Sequence, residues 1–87
     1  MEDTLAAIAD DTASLVQTWH QGDLLASVQL CRRVVDLAGL EYPAIAAAAD
    51  HWERLTTTSS SEDAVRCEAA LALLVSAVRR ARTVANA

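Results

Sequence analysis

The stretch "TWHQGDLLASVQLC", residues 18–31, decides how the chain is read. It runs from an apolar residue, Trp19, through Gly22 and Asp23 into the apolar series Leu24, Val28 and Cys31. Glycine is the residue that most readily ends a helix, and aspartate directly after it is a strong N-cap for the next. One helix therefore stops at His20 and a second starts at Leu24, with a joint too short for anything but two antiparallel neighbours.

Outward from that joint the same periodicity holds. Leu5, Ile8, Thr12, Leu15 and Trp19 recur at gaps of 3 and 4, predicting a helix over about 4–20 that Asp3 or Thr4 can cap. The second helix, about 24–38, carries a seam of Leu24, Val28, Cys31, Val35 and Ala38, with Leu30, Val34 and Leu37 beside it. Ser27, Arg32, Arg33 and Asp36 are left for solvent or partners, and Gly39 supplies a left-handed stop. Pro43 suits the first position of a third helix, about 43–55, whose seam is Ile45, Ala48, Trp52 and Leu55. "TTTSSS", residues 56–61, reads as a polar connection ending in a capping box of Ser59 with Glu62, or Ser60 with Asp63. The fourth helix, about 62–84, buries Cys67, Leu71, Leu74, Val78, Ala81 and Ala85, and leaves Leu73 and Val75 off that seam. At about 34 Å against about 24 Å for the others, it should overhang its neighbours. The expectation is an all-α fold: one domain over residues 1–87, a small antiparallel four-helix bundle of two α-hairpins with a long C-terminal helix.

Composition agrees and narrows the function. Phe is absent and there are only two glycines and one proline among 87 residues, so strands and long turns have little support. All seven basic residues are arginines, which with the abundant alanine suggests a high-GC bacterial genome. A net charge of -5 is the wrong sign for nucleic acid or for an anionic membrane surface. The start, Met-Glu-Asp, lacks the basic and apolar regions of a signal peptide, and "AALALLV", residues 69–75, is far too short to span a bilayer. A cytoplasmic protein is expected. The trailing "TVANA" would suit the start of a linker if the chain were part of a longer protein.

Two resemblances touch parts of the chain. Gly22-Asp23-Leu24-Leu25-Ala26 with Val28-Gln29-Leu30 is similar to the phosphopantetheine attachment segment of acyl and peptidyl carrier domains. In that family a serine directly after the Gly-Asp pair carries the arm. Here Leu24 stands at that position, and the cap-and-turn reading prevails. Trp19 and Trp52, 33 residues apart, have a spacing similar to tetratricopeptide repeats, but the wider consensus is absent and two hairpins are fewer than such arrays need.

Chemistry finds few footholds. His20, Cys31, His51 and Cys67 each stand alone, without the short paired spacing of zinc ligands, and both cysteines lie on apolar seams. No phosphate loop or paired catalytic motif is present, and so small a bundle should have little room for a pocket of about 300 Å³. Neither enzyme activity nor a bound cofactor or metal is expected. Helices 2 and 4 are apolar on more than one side, which points to a non-enzymatic interaction or adaptor module that meets a protein partner or forms a homodimer. Leu73, Val75, Arg79, Arg80 and Arg82 are the expected partner-binding residues, and the acidic face of helix 1, Glu2, Asp3, Asp10 and Asp11, is the natural complement of the arginines if two chains pair head-to-tail or antiparallel. The alternative is a small ligand- or metal-carrying bundle built on Trp52, His51, Cys31 and Cys67.

Overall fold

A computed structural model of the chain describes residues 3–58 and 64–85. It contains four helices: α1 (Asp3–His20), α2 (Leu24–Ala38), α3 (Pro43–Thr58) and α4 (Ala64–Ala85). They run up, down, up and down as the all-α antiparallel bundle expected, α4 being longest at 22 residues, or about 33 Å. The body measures 40 × 19 × 18 Å. Neighbours pack in chain order, and α1 with α4 closes the ring with the sparsest contact of the four pairs. No helix among the described residues is long and apolar enough to cross a membrane.

The 18–31 joint forms as its chemistry dictates. Gly22 has φ +80°, with Asp23 N–H bonded to Thr18 O at 3.0 Å and Gly22 N–H to Trp19 O at 3.1 Å. These are the two bonds of a Schellman stop. Asp23 then caps α2, its Oδ1 accepting from Ala26 N–H at 3.2 Å. Gly39 also stops α2 at positive φ, but its φ of 50° and ψ of -136° lie outside the left-handed helical region expected for it. That conformation is accessible essentially to glycine alone.

The core centres on Ile8, Leu15, Val34, Ile45, Trp52 and Leu74, all at most 1 % exposed. On α1 and α4 the expected seams are buried through Leu5, Ile8, Thr12 and Leu15, and through Cys67, Leu71, Leu74 and Val78. Ala85 is exposed instead, because α4 outruns the bundle there. Leu24 is also exposed, in the first turn of α2 at the end of the body. On α3 the buried row is Ile45, Ala49, Trp52 and Thr56 in place of Ala48 and Leu55, which are half-buried. The helix turns its Ala49 edge to α2, where the Cys31 thiol donates to Ala49 O at 3.0 Å.

Two polar stretches depart from expectation. Ser27 is fully buried: its hydroxyl donates to Asp23 O at 2.7 Å and lies 2.9 Å from Thr18 Oγ1 across the α1–α2 joint. A buried hydroxyl with such partners carries little desolvation cost. The threonines also belong to α3, which continues to Thr58, beyond the expected end at about residue 55. Thr56 Oγ1 donates to Trp52 O at 3.1 Å, Thr57 Oγ1 to Glu53 O at 2.8 Å, and Thr58 Oγ1 to Arg54 O. Back-bonding of this kind accommodates β-branched hydroxyl residues in a helix that tertiary packing holds. The Ser59–Glu62 and Ser60–Asp63 capping boxes, and the expected α4 start at residue 62, lie outside the described residues.

Neither glycine faces a steric barrier: a Cβ on Gly22 meets nothing within 4 Å, and one on Gly39 only Asp36 O at 3.7 Å. The cost of substitution is therefore conformational. Gly39→Ala should lower unfolding free energy by about 1–3 kcal/mol and Gly22→Ala by about 1 kcal/mol. Urea denaturation of the two variants measures both, and equal losses would contradict the difference in ψ.

Candidate interaction surface

The buried edge of α4 leaves two flanks, one toward α1 and one toward α3. The expected partner-binding residues divide between them. On the α1 side, a hollow of about 310 Å³ lies between Val16, His20, Glu68, Val75 and Arg79. It continues into one of about 370 Å³ bounded by Ala9, Ala13, Val16, Val75, Arg79 and Arg82. Because Val16, Val75 and Arg79 belong to both, the two form one groove along the sparsely packed α1–α4 seam. On the α3 side, Arg80 borders a separate, mainly apolar hollow of about 440 Å³ with Tyr42, Ile45, Ala77 and Val84. Leu73 lines none of these three and stands 62 % exposed. These concavities are larger than expected for so small a bundle, because alanine rows on α1, α3 and α4 leave space that longer side chains would fill.

The groove is pinned at one end. Trp19 Nε1 donates to Glu68 Oε1 at 2.7 Å, and His20 Nε2 lies 3.2 Å from the same oxygen. His20 thus has a partner that sequence reading did not find, 48 positions away in the chain. At the other end, no carboxylate among the described residues pairs with Arg79, Arg80 or Arg82. The remaining ion pairs lie elsewhere. Arg32 joins Glu53 at 3.1 Å across α2–α3, Arg33 joins Asp11 at 3.4 Å across α2–α1, and Arg54 joins Asp50 within α3. Asp11 is therefore turned to α2. Asp10 is exposed, while the side chains of Glu2 and Asp3 lie outside the described residues.

The Trp/His/Cys layer is divided as well. Trp52 and Cys31 are fully buried, His51 is exposed, and Cys67 is buried on α4. Among the described residues no three His, Cys, Asp or Glu side chains are grouped to hold a metal ion. Trp19 packs edge-on against Trp52 with ring centroids 5.6 Å apart, an apolar contact between the two rings. Burial pushes the Cys31 thiol up to about 12, helped by the nearby carboxylates of Glu53 and Asp50. A thiol so disposed is a poor nucleophile and a poor metal ligand, since both roles need the thiolate.

No family model, curated protein or solved structure matches the chain.

The Cys31 environment has a consequence at high pH. Below about pH 9 the thiol is neutral whether the chain is folded or not, and it contributes no pH dependence. Between its ordinary value of 9.0 and the folded value of about 12 only the unfolded chain loses the proton, so stability falls as pH rises. The slope should be about 1.4 kcal/mol per pH unit once past the lower value. Denaturation of wild type and Cys31→Ala from about pH 8 to pH 11 should show this extra slope in the wild type alone.

Proposed function

We propose that this protein is a non-enzymatic helical interaction module that docks a helix in the α1–α4 groove, self-association included. The observation that carries this reading is the conjunction of a long, sparsely covered seam with Arg79 and Arg82 at its rim, neither paired with a carboxylate among the described residues. An apolar floor with a charged rim is the composition of a docking surface: the floor supplies affinity and the rim supplies orientation. Val75 is its central side chain, and Arg79 and Arg82 its polar edge. Arg80 and Leu73, on the other flank of α4, are left as a secondary contact area. The net charge of -5 favours a protein partner over nucleic acid. A reducing compartment such as the cytoplasm suits the Cys31 thiol.

Light scattering over a range of concentrations tests this reading. The wild type should exceed monomer mass as concentration rises. Val75→Glu, which sets a charge on the groove floor, should remain monomeric with unchanged helical circular dichroism. Leu73→Glu should alter assembly less. If the wild type assembles and Val75→Glu assembles equally well, the groove is removed from the reading.

A further inference from the structure

We propose that the occupant of the groove is α4 of a second copy of this chain, lying antiparallel, so that Glu68 of each copy meets Arg79 of the other. The proposal rests on the interaction-module reading and names its partner. Along the groove flank of α4, Glu68, Ala72, Val75, Arg79 and Arg82 follow at gaps of 4, 3, 4 and 3. That is the spacing of a helix–helix seam. Its acid stands at the N-terminal end, its two arginines at the C-terminal end, and small or apolar residues between them.

Such a stripe is complementary to itself when reversed. Antiparallel pairing sets Glu68 beside the second copy's Arg79 and Ala72 beside its Val75, and two-fold symmetry makes each contact twice. Parallel pairing would set arginine against arginine and glutamate against glutamate. A foreign acidic helix would suit the arginines but would bring like charge to Glu68. A reversed copy satisfies both ends with the residues this chain already carries.

The local geometry permits it. Arg79 and Arg82 are exposed, and no ion pair among the described residues has to break before they reach across. Glu68 uses Oε1 for Trp19 and His20, and its side chain remains 51 % exposed, leaving the other oxygen accessible to a guanidinium. Across the groove α1 presents Ala9, Ala13 and Val16, small enough for a second α4 to approach closely. From Glu68 to Arg82 the stripe runs about 21 Å along α4, four turns of helix over which a second copy can lie.

Charge exchange between chains tests the pairing. Arg79→Glu with Arg82→Glu in one chain should weaken self-association about tenfold or more, because two attractions become two repulsions. Glu68→Arg in a second chain should do the same, and an equimolar mixture of the two variants should associate about as tightly as wild type. Glu68→Gln, which keeps an acceptor for Trp19, should weaken association by a smaller factor and guards against a folding defect in Glu68→Arg. Sedimentation equilibrium reads all of these constants. If wild type associates, Val75→Glu abolishes it and the charge variants change nothing, the groove reading stands and this antiparallel pairing falls. A wild type that stays monomeric at millimolar concentration overturns the second copy as occupant, while docking of another protein survives. Variants that weaken association singly but fail to restore it when mixed also overturn the pairing.

Discussion

Trp52 is the side chain on which the rest of the bundle is spaced. It is the largest of the fully buried residues in a chain that has no phenylalanine and is rich in alanine. Alanine faces let helices approach but supply little volume, so one indole at the centre sets how far apart the four axes stand. Its edge-on contact with Trp19 ties α1 to α3 across the diagonal, and Ala38, Ala49 and Ala70 are buried in the same core. The indole N–H finds no acceptor among the described residues, a penalty of about 1–3 kcal/mol. The site keeps an indole nonetheless, because the volume it fills could not be replaced by alanine without a cavity.

Around that centre the four seams are fastened unequally. The α1–α2 seam has the Thr18–Ser27 hydroxyl pair and the Arg33–Asp11 ion pair. The α2–α3 seam has the Cys31–Ala49 bond and the Arg32–Glu53 pair. The α1–α4 seam has Glu68 at one end, while its far end carries arginines without a carboxylate among the described residues. Exposed ion pairs contribute little energy, about 0–1 kcal/mol each, but they orient one helix on the next. The α1–α4 seam, tied at one end, carries the groove on which the functional reading rests, while the α3–α4 seam carries a separate hollow beside Arg80.

Much of this was legible in the residues. Trp19, Gly22 and Asp23 announce a stop, a turn and a cap, and Ile8, Leu15, Cys31, Trp52 and Leu74 fall on the seams their spacing predicts. Polar residues misled. Spacing leaves Ser27 to solvent or partners and propensity makes the threonines at 56–58 a connection, since local rules treat hydroxyls as water-seeking or helix-breaking. Whether a hydroxyl can be buried depends on an acceptor nearby, and for Ser27 that includes Thr18 on another helix. Leu73 and Val75 lie off the buried α4 seam, as their spacing predicts, but nothing in the spacing shows that Val75, Arg79 and Arg82 share a groove from which Leu73 and Arg80 are turned away.

Periodicity, glycine stops and caps are local, acting within about one turn of helix, and so the sequence by itself determined the number of helices, most of their limits and the antiparallel order. Partner choice between helices is not local. Glu68 reaches Trp19 and His20, Arg33 draws Asp11 to α2, and α3 turns its Ala49 edge to α2, because helix rotation is set by which side chains fill the space around Trp52. Those choices depend on three-dimensional packing between residues far apart in the chain. Only the tertiary structure could decide them, and with them which flank of α4 is left open.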